Sequence, residues 1–364
     1  MFVAIRDIRF AKGRFALMIA VVALVTALIV ILTGLTAGLG ADNISAIAEL
    51  PADHVALATG DAEATFANST VHADQWQRWA AVDGVRSASP LGITQTRVTA
   101  AGGTSKSVAL FGVEAGTPLA PAVSTGRSLD GKPGEVVVSS GLAADLGIGT
   151  GDHITLADGT VATVAGVGGS AAYGHTPVAW LPLGEWQRVA PANGGRDTAT
   201  AIVLDTSGKV DLAAADAAIG TETLSRGDAA TTIGGYAAEN GSLTMIRVFL
   251  FAISALVVGA FFTVWTVQRK PEIAVLKALG ASTRYLLRDA LSQALIVLVL
   301  AGIAGALLGT AVGALAATTV PFVLDAPTVV VPVLVMVAVG VGGASLAVRR
   351  LTSIDPLLAL GAAR

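Results

Sequence analysis

Apolar residues fall into four long uninterrupted runs and, between the first two, a stretch of short β-branched clusters punctuated by Gly, Asp and Pro. The runs Phe15 to Leu39, Val248 to Val267, Ala290 to Leu324 and Ala326 to Val348 contain no Asp, Glu, Lys or Arg, and each is at least 20 residues long. At 1.5 Å per residue that is enough to cross a hydrocarbon layer about 30 Å thick. Core helices of soluble domains seldom stay uncharged for so long, so the pattern predicts four transmembrane helices. A cleaved signal peptide does not suit the first run, because it exceeds the roughly 7–15 apolar residues of a signal h-region.

Periodicity extends two of these helices. Asn43 to Leu50 continues the helical pattern of the first run until Pro51 stops it, and residues 231–244 lead back toward the second run as a matching arm of a stalk. Before the first run, Phe2 to Phe10 sets apolar side chains every three or four positions among bases, which suits an interfacial elbow. The division that follows is an elbow at 1–14, the first span and stalk arm at 15–50, an inserted domain at 51–230, and the second arm and span at 231–267. A cytoplasmic coupling region at 268–288, the third span with its outer turn at 289–324, the fourth span at 325–348 and a cytoplasmic tail at 349–364 complete it. In the inserted domain Glu135 to Ser139 reads as a strand and Gly141 to Leu146 as a short helix. His153 to Leu156 and Thr160 to Val164 form a hairpin around Asp158-Gly159. Trp76, Trp79, Trp180 and Trp186 read as core or sheet-surface residues. The fold class is an α-helical membrane protein with four transmembrane helices plus an α+β extracellular domain, containing a small barrel-like β part, inserted between the first and second helices.

Composition agrees with the pattern. Of 364 residues 13% are charged and 53% hydrophobic, with mean hydropathy +0.71, against about 25% charged in ordinary soluble domains. Charge also orients the chain. The segment before Phe15, the connection after the second span and the C-terminal tail together hold twelve bases and four acids, which places them and both termini on the cytoplasmic side of a cell membrane. Residues 40–246 hold 10 bases against 21 acids, a net of −11, and are placed outside. That balance argues against a nucleic-acid partner. The absence of cysteine excludes disulfides, Cys-ligated metals and thiol chemistry.

Gly305, Gly309 and Gly313 in the third span, and Gly34 and Gly38 in the first, recur every four residues and strip one helix face of side chains. They support close helix packing, a dimer included. The most informative motif is Gln268-Arg269-Lys270-Pro271-Glu272-Ile273-Ala274-Val275-Leu276-Lys277-Ala278-Leu279-Gly280-Ala281-Ser282. Its apolar residues recur at helical spacing and Gly280 stands where a helix should end. It reads either as a basic amphipathic loop on anionic membrane lipid or as a helix that docks in a groove of a cytoplasmic partner. This stretch resembles the coupling region of MacB/FtsX-type ABC transporter permeases. Val136 to Ser139 through Leu146-Gly147 and Gly151-Asp152 is similar to that family's outer domain, and Asp355 to Leu360 is similar to its C-terminal ending.

The resemblance implies a homodimer of permeases served by two copies of a cytoplasmic ABC ATPase that carries the ATP and Mg. It also implies that Arg269, Lys270, Glu272, Ile273, Leu276, Lys277, Leu279 and Gly280 receive the force of ATP hydrolysis. The chain itself reads as a permease subunit and not an enzyme. Gly126 to Lys132 has P-loop spacing, but Pro133 replaces the hydroxyl residue, and neither a nucleophile elbow nor an HExxH motif is present. His175, in Tyr173-Gly174-His175-Thr176-Pro177, reads as a hydrogen-bonded or exposed loop histidine ahead of a metal or cofactor ligand.

No ionisable residue lies in the middle of a span, so an apolar or amphipathic cargo entering sideways from the lipid suits the chain better than a charged solute. Within the family the chain looks most like the haem-exporter branch of bacterial permeases. Haem as the transported ligand points to Glu49 at the top of the first helix and to Tyr236, Glu239, Met245 and Arg247 at the base of the second. Met, Tyr and carboxylate groups approach haem iron and Arg pairs with a propionate. Lipid-facing packing for Met245 and snorkelling for Arg247 are the competing readings. Export of another lipophilic compound, antibiotic or peptide stands as an alternative, as does a force-transmitting role that regulates a cell-wall enzyme. No intrinsic cofactor is expected.

Overall fold

The computed structural model describes residues 12–60, 63–190, 195–268, 275 and 280–352. The elbow up to residue 11, the coupling residues Arg269, Lys270, Glu272, Ile273, Leu276, Lys277 and Leu279, and the tail from 353 lie outside the described residues. Helices are α1 (Lys12–Ala48), α2 (Ala73–Ala80), α3 (Ser140–Leu146), α4 (Leu183–Val189), α5 (Leu212–Ile219), α6 (Arg226–Thr231), α7 (Tyr236–Gln268), α8 (Thr283–Ala316) and α9 (Ala326–Thr352). Strands are β1 (His54–Ala58), β2 (Val71–His72), β3 (Val85–Ala100), β4 (Ser105–Val113), β5 (Val123–Gly126), β6 (Glu135–Val138), β7 (His153–Thr155), β8 (Val161–Gly168), β9 (Ala172–Tyr173), β10 (Thr176–Pro182), β11 (Thr198–Ala199), β12 (Ala201–Thr206) and β13 (Thr221–Ser225). The chain divides into two compact units, Met1–Gly38 with Asn240–Arg364, and Leu39–Glu239.

The Leu39–Glu239 unit is α+β, and its architecture follows from the 16-residue strand β3. The first half of β3 pairs with β12, which continues through β1 to β13 as an open sheet. Its second half pairs with β4, and from there the ladder runs through β10, β6, β8 and β7 back to β3. This second part is a small closed barrel of six strands. Period-2 alternation supplies both faces with apolar side chains. Val136, Val138, Leu110, Ile202 and Leu204 join one core with Leu142, Ile154 and Trp186. Val137, Phe111 and Val203 join the other with Ala46 and Ile47 of α1, Tyr173 and Trp180. Trp79 and Trp186 are wholly buried.

Local chemistry fixes the short elements. Ser139 Oγ accepts from the Leu142 amide to start α3, and Gly147 in the left-handed region ends it. Gly92 and Gly112 face each other across β3 and β4 because the Trp186 indole lies over them; a Cβ on either would come within 2.3 Å or 2.5 Å of that side chain.

Among the described residues four helices are long and apolar enough to cross a membrane, Phe15–Ala48, Tyr236–Trp265, Leu287–Ala316 and Ala326–Leu346, and the other unit holds the first as far as Gly38, the second from Asn240, and the whole of the last two. Phe15, Met18, Val22 and Ile29 of α1 pack with Val258 and Trp265 of α7, with Ala294, Val297, Leu298 and Ala301 of α8, and with Met336 and Ala344 of α9. Two glycines of the α8 stripe, Gly305 and Gly309, lie against α1, and the third, Gly313, faces Phe322. A Cβ on Gly305 would sit 2.5 Å from the Ala23 carbonyl oxygen, and one on Gly309 would sit 3.0 Å from Val30. These two glycines therefore serve close packing inside one chain. The connection after α8 also closes on α1, with the Val323 amide donating to the Gly34 carbonyl at 3.1 Å. Asp325 starts α9 through reciprocal bonds with Thr328, at 2.8 Å and 3.1 Å.

Candidate functional site

A tight hairpin of the Leu39–Glu239 unit presents His175, whose side chain meets three polar neighbours. Thr176 pairs with Tyr173 and Pro177 with Ala172, leaving Gly174-His175 as a two-residue loop. Both loop residues have positive φ, 55° and 58°, which is the type I′ geometry that matches strand twist. Glycine accepts this backbone freely, whereas His175 does so at a cost. Aromatic packing anchors the hairpin: the Tyr173 ring meets Phe66 and Phe111 edge-on at 6.0 Å and 5.8 Å. Burial pushes the Tyr173 phenol pKa well up, so it stays neutral. Ser45 Oγ of α1 accepts from the Ala172 amide at 3.0 Å.

The loop is tied to α1 through its backbone, with Gly174 N donating to Asn43 O at 2.8 Å and His175 N to Asp42 O at 3.2 Å. The imidazole then joins two helices. Its Nδ1 lies 3.0 Å from Asp42 Oδ2 on α1, and its Nε2 lies 3.0 Å from Glu239 Oε2 on α7. Asn43 Nδ2 stands 3.2 Å from His175 Nε2 and donates to Glu239 Oε2 at 3.4 Å. Partial burial works against a charge on the ring, but the hydrogen bonds to Asp42 and Glu239 outweigh it and raise the His175 pKa above its ordinary value. The two carboxylates take opposite edges of the ring. They do not converge on one point as metal ligands would, and no group of three such side chains suited to a metal occurs among the described residues.

Of the five residues put forward for haem, Glu239 is the one drawn into this network. Glu49 is exposed just beyond the end of α1, and Tyr236 is half-buried with its ring 3.9 Å from where a Gly40 Cβ would sit. Met245 and Arg247 belong to the membrane unit. Met245 is 62% exposed, and Arg247 donates to Thr244 Oγ1 one turn earlier at 3.0 Å. Asp42, Asn43 and His175 were not grouped with Glu239 by sequence; the polar pair Asp42-Asn43 inside an otherwise apolar helix was the available signal. Of the coupling residues, Gly280 is described. It has φ +94° and precedes Ser282, whose Oγ accepts from the Tyr285 amide to start α8. The P-loop look-alike is a surface loop whose Arg127 pairs with Glu135 and lies 3.4 Å from Asp130. It opens no helix, so it has no helix N-terminus to receive phosphate.

Residues 15–222 match the MacB-like periplasmic core domain family, and residues 244–356 match the FtsX-like permease C-terminal family. The chain belongs to the MacB/FtsX-type ABC transporter permeases. An uncharacterized ABC transporter permease of Mycobacterium bovis is 29% identical over 99% of both chains. A Staphylococcus haemolyticus protein named for a hemin transport system permease, HrtB, is 24% identical over 98% of both. The periplasmic region of MacB from Actinobacillus actinomycetemcomitans aligns with 53% of this chain and 96% of its own, at 14% identity and TM-score 0.39. As in other permeases of this type, the α+β domain of this membrane protein is inserted between its first and second spans.

Proposed function

We propose that this permease exports haem, taken sideways from the lipid and driven by a separate cytoplasmic ATPase that acts through residues 269–280 of a permease dimer. The observation that carries the cargo is the likeness, over 98% of both chains, to a protein named for hemin transport. The spans add support, since the runs through their centres hold no ionisable side chain to line a path for a charged solute. Glu49, Tyr236, Glu239, Met245 and Arg247 are the candidate haem contacts. Met245 is exposed and its thioether is suited to iron, and Glu239 offers a carboxylate whose Oε2 is held by His175. The inserted domain and both termini take the positive-inside arrangement, with the domain outside and the termini in the cytoplasm.

The test is to purify the permease with its ATPase in detergent and titrate haem while recording the Soret band and ATP hydrolysis together. The expected result is a saturable band shift accompanied by faster hydrolysis, both weakened at least tenfold in apparent affinity by Met245→Ala or Glu49→Ala. Unchanged binding in both variants removes the contact assignment. No shift with the parent overturns haem as cargo and leaves the family intact.

A further inference from the structure

We propose that Asp42, His175 and Glu239 form a proton-binding clasp, which holds the α1 and α7 arms together while the imidazole is charged and loosens them when it loses its proton. The argument is one of donors and acceptors. An ionised carboxylate only accepts, and a neutral imidazole has a single N–H to give. With Nδ1 and Nε2 each 3.0 Å from a different carboxylate oxygen, both contacts are hydrogen bonds only when both nitrogens carry protons. Loss of the proton leaves one carboxylate facing a bare nitrogen and removes the positive charge between two negative ones. The charged groups that act on the ring are Asp42 from α1 and Glu239 from α7, its own turn adding none, with Asn43 as an uncharged polar neighbour.

Two further features belong to a two-state device. Asn43 is almost wholly buried, and its Oδ1 has no hydrogen-bond partner among the described residues. In the observed orientation its Nδ2 donates to a bare Nε2 or to Glu239; turned over, the same amide offers Oδ1 to a protonated Nε2. The side chain can therefore serve either state of the ring. The left-handed backbone at His175 is the second. A tight turn that takes histidine at this position places the imidazole between the arms at a conformational cost. By linkage, the closed form is favoured about tenfold at low pH for each unit by which closure raises the ring pKa. A raised value means that the contribution is full below the unfolded pKa of about 6.5 and fades as pH climbs through the higher value in the closed form.

The clasp holds whatever the cargo is, so its test uses no haem. The chain lacks cysteine, and the exposed Ala41 and Ala237 accept spin labels after Ala41→Cys and Ala237→Cys in the full-length permease in detergent. Pulsed electron resonance from roughly pH 5.5 to 8.5, bracketing the ordinary histidine pKa, should show a short, narrow distance distribution at the acid end that broadens as pH rises. Glu239→Gln and Asp42→Asn should each move that transition down by about one pH unit, and His175→Gln should abolish it. A distribution in the parent that ignores pH overturns the clasp, as does an unmoved transition in both carboxylate variants. Should His175→Gln fail to fold, the two carboxylate variants decide the matter on their own.

Discussion

Both units rely on glycines to admit a neighbour, but they bring different things close. In the inserted domain Gly92 and Gly112 make a shelf for an aromatic ring. Among the membrane helices Gly305 brings the backbone of α8 onto the backbone of α1. The difference follows from the solvent. In water, burying a large indole is the main stabilising act, and the strands give up side chains to fit it. In lipid no hydrophobic force draws one helix to another, so association depends on close contact of small residues and on weak polar bonds.

The contrast is sharpest at Trp186. Trp186→Ala should destabilise the inserted domain by about 4 kcal/mol, because it removes a wholly buried side chain and leaves a hollow over two glycines that cannot fill it. Gly92→Ala tests the same contact from the other side, since its methyl would overlap the ring. Thermal unfolding of the purified permease, followed by tryptophan fluorescence, measures both. A loss below about 1 kcal/mol for Trp186→Ala would mean that the indole is not the keystone of this packing.

A smaller effect is expected at the helix contact. Gly305→Ala sets a methyl against the Ala23 carbonyl and the Thr26 side chain, with distances of 2.5 Å and 2.6 Å before relaxation. Overpacking of this kind costs about 2 kcal/mol. Gly342→Ala, at a position with nothing among the described residues within 4 Å of the new methyl, should be neutral or mildly stabilising through helix propensity. The pair is read by size-exclusion recovery after heating, and equal losses in the two variants would detach the glycine stripe from α1.

The same contrast explains how much of the molecule could be read in advance. The spans declare themselves because charge is absent from them, a property of each run by itself. The strand Glu135–Val138, the helix after it and the Asp158-Gly159 hairpin are also local, set by Ser139, Gly147 and Gly159. Closure of the barrel was visible only as a tendency, because it depends on β7 pairing with both β3 and β8 across distant sequence. The clasp was hidden for the same reason. His175 meets partners 133 and 64 residues away, and its hairpin is too short to leave a strand pattern. Sequence picked out His175 and Glu239 separately, by residue type, and only the fold joins them. The glycine stripe was legible as packing, while its partner helix was not.

Polar bonds give the finest test of the two solvents. Ser254 Oγ donates to Met336 Sδ at 2.9 Å between α7 and α9, with both residues buried. In the inserted domain Trp79 Nε1 donates to Thr221 Oγ1 at 3.1 Å, also buried. Thr221→Val keeps the shape but strands an indole N–H away from water and removes the hydroxyl's own bond to Asp216 Oδ1 at 2.7 Å, a loss of at least about 1–3 kcal/mol. Ser254→Ala strands only a thioether, a weak acceptor that is at home in apolar surroundings. Its loss should come to about 0.6 kcal/mol, the usual size of a hydrogen bond between membrane helices. Met336→Leu should be equally mild, because the freed hydroxyl can turn back to the carbonyl four residues earlier on its own helix. Melting curves for the three variants, taken in the same detergent, give the ranking. A Ser254→Ala loss as large as that of Thr221→Val would show that the α7–α9 contact is held by its polar bond rather than by packing, and would remove the distinction drawn between the two units.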